Sequence, residues 1–140
     1  MAREISAGAV VFKRNKDIKF LLLNYESGHW DFPKGNVEKG EDKRETAIRE
    51  IREETSLKNI KIIEGFENKI SYFYKREGKT IYKEVTFYLA ETTTDTVSLS
   101  YEHRDYVWLN YQDAIKKLTY KNAKETLKKA WEFLNAAGGQ

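Results

Sequence analysis

The sequence predicts an α/β fold, a mixed sheet covered by helices on both faces. Segments rich in β-branched and aromatic residues recur along the chain and are interrupted by helical ones. A helical segment in the first half carries the apolar stripe Ala47, Ile48 and Ile51, suited to packing on a sheet. Near the C-terminus Ala123, Leu127, Ala130, Trp131 and Leu134 recur at i, i+4, i+7, i+8 and i+11, a second core-facing stripe.

The elements follow in order. AGAVVF (7–12) and FLLLNY (20–25) read as strands separated by the polar turn KRNKD. ESGHWDFPKGN (26–36) reads as a loop, punctuated by Gly28, Pro33 and Gly35. A helix is expected over 42–55, which has neither Gly nor Pro and is dominated by good helix formers. IKIIEGF (60–66), KISYFYK (69–75) and TIYKEVTFYLAE (80–91) read as strands, the last two joined at Gly78. VSLS (97–100) and YVWL (106–109) read as shorter strands. Asn110 is a helix N-cap candidate for a segment ending at Leu118, and the last helix spans about 121–135. With no repeat, linker or low-complexity tract, residues 1–140 are expected to form a single domain.

Composition narrows the function. The 25 basic and 22 acidic residues give a net charge of +3, too even for a nucleic-acid binder, so no stable nucleic-acid partner is expected. The absence of Cys excludes disulfides, thiolate catalysis and Cys-based zinc sites. No signal-peptide pattern and no apolar run of membrane-spanning length occur, so a cytoplasmic protein without a membrane partner, working as a monomer, is expected.

One stretch opposes its own stability. In REIREET (49–55), Glu50 precedes Glu53 by three residues and Glu54 by four, so the three carboxylates share a helix face. Like charges at those spacings repel, and the C-terminal end of a helix disfavours anions. A hard divalent cation such as Mg²⁺, with phosphate completing its shell, would compensate them. In isolation an E-x-x-E-E run is more often a solvated acidic face, braced here by Arg49 and Arg52.

The surroundings favour the cation. From Gly35 the chain reads GNVEKGEDKRETAIREIREETSL, which resembles the Nudix box, G-xxxxx-E-xxxxxxx-R-E-U-x-E-E-x-G-U with U aliphatic. Gly35, Glu41, Arg49, Glu50, Ile51, Glu53, Glu54 and Leu57 fall in register over 35–57, while Ser56 replaces the box Gly that eases the turn after the helix. The resemblance implies the family's α/β/α sandwich, with a mixed central sheet and the box as a loop-helix-loop. It also implies hydrolysis of a nucleoside diphosphate linked to another group, with Mg²⁺ or Mn²⁺. By position, Glu50, Glu53 and Glu54 would ligate metal, helped by the Gly35 carbonyl, and Arg49 would orient the glutamates. Glu41 would support the loop and helix entry. Glu50 or Glu53 would take the proton of the attacking water, with Glu50 favoured.

Outside the box, WDFPKGNVEKGE (30–41), KIIEGFENKISYFY (61–74), KEVTFYLAE (83–91) and LSYEHRDYVWL (99–109) resemble the asymmetrical diadenosine tetraphosphate hydrolases of the animal and archaeal type. That branch implies cleavage of a small dinucleoside polyphosphate to ATP and AMP by water attack on a phosphoanhydride. It also implies a glutamate outside the box, Glu102, that assists the metal site. A polyphosphate needs cations, for which His29, Lys34, Lys79, Lys83 and His103 are candidates; an adenine needs an aromatic face, for which Tyr72, Tyr74 and Tyr82 are candidates. Each tyrosine has core or cross-strand packing as its plainer reading. Other substrates open to the family are an RNA 5′ end, an inositol pyrophosphate and ADP-ribose. A nucleotide-binding module without catalysis is a further alternative, disfavoured because all box glutamates are present.

Overall fold

Strand β1 (Ala2–Arg14) organises the sheet in the computed structural model, which describes residues 2–136. It pairs in parallel with β7 (Lys79–Thr92), from Ala2↔Ile81 to Phe12↔Glu91. Two strands share its other edge. β2 (Ile18–Tyr25) pairs with its end at Phe12↔Phe20, and β4 (Lys34–Asn36) with its first half at Ser6↔Asn36 to Gly8↔Lys34. The close passage of β4 requires Gly8, where a β-carbon would lie 2.2 Å from the Pro33 carbonyl oxygen. β3 (Trp30–Asp31) and β8 (His103–Leu109) flank β2, and β5 (Ile60–Ile62) and β6 (Asn68–Arg76) flank β7, all antiparallel.

Alternation along the strands divides the core in two. Val10, Phe12, Phe20, Leu22, Val85, Phe87 and Leu89 face one side. There they meet Ala114 of α2 (Tyr111–Lys117) and Ala123, Leu127, Ala130 and Leu134 of α3 (Lys121–Ala136). Ala7, Ala9, Val11, Leu21, Leu23 and Ala90 face the other side, against Ala47 and Ile51 of α1 (Lys43–Thr55). This is the expected α/β/α arrangement. Among the described residues no helix is long and apolar enough to cross a membrane.

Several segments differ from expectation, among them β8, which starts at His103 rather than Tyr106. β1 begins at Ala2 because its polar first residues also pair with β7. The 26–36 loop contains β3 and β4. The strand expected over 60–66 stops at Ile62, shortly before Gly65 turns at φ 97°. VSLS is not a strand: Val97 and Leu99 pack on the α1-side core, and the Ser98 and Ser100 amides donate to the carbonyls of Thr55 and Glu54. The segment is therefore tied to the end of a helix rather than to a strand, although its alternating side chains imitate one.

Candidate active site

Helix α1 is held at both ends. Asp42 accepts from the Glu45 amide while the Glu45 side chain accepts from the Asp42 amide, a capping box. At the other end Ser56 adopts the left-handed conformation, φ 64°, with its amide donating to the Arg52 carbonyl. Its hydroxyl donates to the Ser98 carbonyl at 3.0 Å. The helix axis, and with it the glutamate face, is thereby fixed relative to β4 and the 93–102 segment.

The positive partner that the glutamates need is Arg49. Its guanidinium donates to Glu41 at 2.6 and 3.0 Å, to Glu50 at 2.8 Å, to Glu53 at 2.9 Å and to the Asn36 carbonyl at 3.0 Å. One planar fork thus ties the loop before the helix to two helix carboxylates. Glu41 also accepts from the Thr46 hydroxyl, and these donors hold its carboxyl at about 2, far below the usual range. The geometry matches the bracing expected of Glu41.

Glu50 and Glu54 face inward, whereas the exposed Glu53 turns toward Arg49. Burial, and then the hydrogen bond and charge of Glu50, push the Glu54 carboxyl well above the usual carboxylate range. Among the described residues no group of three acidic or imidazole side chains is already gathered around one point. What stands ready is a pair of oxygen donors, with Gly35 so close that a β-carbon there would lie 2.1–2.5 Å from the Glu50 carboxylate. Hard, crowded carboxylates of this kind fit a hard divalent cation. Glu102 sits in the exposed turn before β8, near enough for its charge to add to the upward push on Glu54.

A cleft of about 750 Å³ opens next to these carboxylates, between β6, β7, the 29–34 segment and the start of α3. Tyr25 stands between the two regions, lining the cleft while feeling the charges of Glu54, Asp31 and Glu50. His29 stacks on Tyr25 at 4.6 Å with ring planes 6° apart. Lys34 is paired with buried Asp31 at 3.0 Å. Burial opposes the Lys34 charge, but Asp31 outweighs it and raises the pKa of the ammonium. On the β7 wall of the cleft, Lys83 lies 3.8 Å from Glu4; burial, then the charge of Lys34, lowers its pKa. Tyr72 and Tyr74 complete that wall.

The structure brings His29, Lys34, Tyr72, Tyr74 and Lys83 together in one cleft and leaves Lys79, at the exposed start of β7, outside its lining; two further candidates are corrected. Tyr82 is not in it. Tyr72 pairs with Lys83 and Phe73 with Tyr82, so the period of two sends Tyr82 to the opposite face, where it packs 5.2 Å from Phe73. His103 is not free for substrate: its side chain is 1% exposed, with Nε2 3.4 Å from the Glu54 carboxylate. Residues missed from the sequence are Tyr25, Asp31 and Glu4, together with Tyr120, Lys121 and Asn122 at the start of α3. For Asp31 a signal existed, an acid three residues before a lysine. For the start of α3 there was none, because its stripe announces only a core helix.

Comparison with known proteins agrees with this geometry. The family model described as NUDIX domain matches residues 2–130. The chain is 38% identical to the asymmetrical bis(5′-nucleosyl)-tetraphosphatase of Mus musculus, covering 92% of this chain and 94% of that protein. It is 36% identical to the protein of the same name from Caenorhabditis elegans, covering 92% and 95%. The solved structure of a C. elegans Ap4A hydrolase binary complex has a TM-score of 0.84 at 35% identity, covering 95% of this chain and 98% of that one. With Glu41, Glu50 and Glu53 gathered around Arg49 on a sandwich of the same shape, the chain belongs to the NUDIX domain family.

Proposed function

We propose that this protein hydrolyses diadenosine tetraphosphate asymmetrically, to ATP and AMP, using Mg²⁺. The observation that carries this reading is the junction of two unlike regions: the crowded pair Glu50–Glu54 and an aromatic cleft with two lysines, meeting at Tyr25. Relatives bearing the tetraphosphatase name over nearly their whole length support the substrate. Hydrolases of this family require a divalent cation. Glu50, Glu53 and Glu54 would hold it, with the Gly35 carbonyl and Glu102 assisting; when bound, it polarises phosphoryl oxygens and acidifies water.

The chain's own residues supply the rest. Arg49 fixes Glu50 and Glu53 by charge-assisted hydrogen bonds, so their carboxylates need not reorganise during reaction. Glu50 takes the proton of the attacking water as the new P–O bond forms and the anhydride P–O bond to the leaving phosphate breaks. Lys34 and Lys83, which both line the cleft, neutralise the phosphate bridge. Lys34 meets the bridge while still paired with buried Asp31, and Lys83 exchanges its longer contact with Glu4 for it. His29 and Tyr72 present ring faces to a purine, and such stacking is worth about 1–3 kcal/mol.

A substrate panel tests the proposal. Rates with Mg²⁺ on diadenosine tetraphosphate, a 5′-triphosphorylated RNA, an inositol pyrophosphate and ADP-ribose should rank the dinucleotide first by kcat/KM. A higher value for any of the other three would overturn the substrate assignment.

A further inference from the structure

Among the described residues, the buried side-chain atoms left without a hydrogen-bond partner are Glu54 Oε1 and His103 Nε2, and they face each other at 3.4 Å. An orphaned buried polar atom is costly, and these two stand opposite one another within reach of a single hydrogen bond. The imidazole is closely confined. Its Nδ1 lies 3.2 Å from the Ser100 hydroxyl, its ring stands edge-on to Tyr25 at 4.4 Å, and the His103 amide donates to the Ser100 carbonyl. Ser100 in turn is tied to α1 through its amide and the Glu54 carbonyl. A carboxylate oxygen only accepts, so a neutral ring that satisfies both neighbours carries its proton on Nε2, aimed at Glu54, and accepts from the Ser100 hydroxyl at Nδ1.

We propose that His103 is a positioning residue that holds the Glu54 carboxylate through Nε2–H, so that the opposite oxygen is presented beside Glu50 for the cation. Glu54 has no competing donor at Oε1, and the His103 side chain is too buried to reach a substrate, so its effect on the reaction runs through Glu54. The arrangement also gives the 98–103 segment a function. It carries Glu102 on its exposed side and His103 on its buried side, so one tied segment sets both against the helix glutamates. Partners of this kind behind a ligand change metal affinity by about 10–100-fold when removed. This inference rests on the metal reading of Glu50 and Glu54 given above.

Free Mn²⁺ measured by electron paramagnetic resonance, on the full chain without substrate, tests it. His103→Leu should weaken Mn²⁺ binding by about tenfold or more and lower kcat, while KM for diadenosine tetraphosphate at saturating Mn²⁺ changes less than twofold. His103→Gln, whose amide reaches the position of Nε2, should recover most of the affinity. His103→Asn, whose amide reaches only the position of Nδ1, should not; this pair keeps the test decisive if the leucine variant fails to fold. Wild-type Mn²⁺ affinity in His103→Asn, or a loss expressed only in KM, would overturn the positioning role. No Mn²⁺ binding by the wild-type protein would instead overturn the metal reading beneath it.

Discussion

Gly35 and Glu50 are in contact through an absent side chain: a β-carbon on Gly35 would lie 2.1 Å from the Glu50 carboxylate carbon. The box glycine is thus required by space, since the carboxylate occupies the volume a methyl group would fill. Gly35→Ala should push Glu50 aside. Displacing a reacting group by about 1 Å costs on the order of 100-fold in rate, and that is the loss of kcat expected, with circular dichroism unchanged. Activity within threefold of wild type would mean that Glu50 works from another position.

Glu50→Gln should lower kcat by about 10³-fold, in the range for loss of a general base. It should also leave the cation-free protein as stable as wild type or more so, by about 0.3 kcal/mol, because a like-charge pair is relieved. Glu102→Gln should cost about tenfold in kcat, less than Glu50→Gln, since an exposed loop carboxylate is one of several and water can replace it. Steady-state kinetics at saturating Mg²⁺ beside thermal melting of the cation-free proteins checks both. A Glu102→Gln variant with unchanged kcat and KM would remove Glu102 from the site.

The two cleft lysines should separate by their partners. Lys83→Met should raise KM about tenfold, equivalent to one charge-assisted hydrogen bond, with little change in stability. Lys34→Met should raise KM and also destabilise the fold by about 3 kcal/mol, because it leaves Asp31 buried and unpaired. Adding Asp31→Asn to Lys34→Met should recover more than half of that stability but none of the affinity. Urea titrations and KM values for the four proteins test this, and equal stability of the two single variants would contradict it.

Ser56 offers a balance of opposing terms. Its left-handed backbone costs about 1 kcal/mol for a residue with a β-carbon, while its hydroxyl bond to the Ser98 carbonyl returns about the same. Ser56→Gly removes both and should be neutral within about 0.5 kcal/mol. Ser56→Ala keeps the strain and loses the bond, so it should destabilise by about 1 kcal/mol. Denaturant midpoints decide; an alanine variant as stable as wild type would show that the hydroxyl bond adds nothing.

Much of this was legible in the sequence because local and global signals agree. The helix ends at Asp42 and Asn110, the stripes of α1 and α3, and the spacing of Glu50, Glu53 and Glu54 all express short-range periodicity, and the structure keeps them. Left-handed Ser56 was also foreseeable, since a residue standing where a turn needs Gly inherits its backbone. What escaped depends on pairing across the sheet. Whether Tyr82 or Lys83 faces the cleft is a matter of register by a single residue, set by its partners Phe73 and Tyr72. His103 carries the residue type of a phosphate contact, yet the start of β8 and the ties of Ser98 and Ser100 to α1 turn it inward to Glu54. The cleft contribution from the start of α3 arises only when that helix docks beside β6.

Asymmetric hydrolysis at the α1 carboxylates leaves a distinct set of products in ¹⁸O-labelled water. Diadenosine tetraphosphate incubated with the protein and Mg²⁺ should give ATP and AMP in equal amounts, with one ¹⁸O per turnover in a newly formed phosphate group, and Glu50→Gln should give neither at a comparable rate. Two ADP as the main product would rule out asymmetric cleavage, and the same ATP and AMP formed by Glu50→Gln at the wild-type rate would rule out Glu50 as the base.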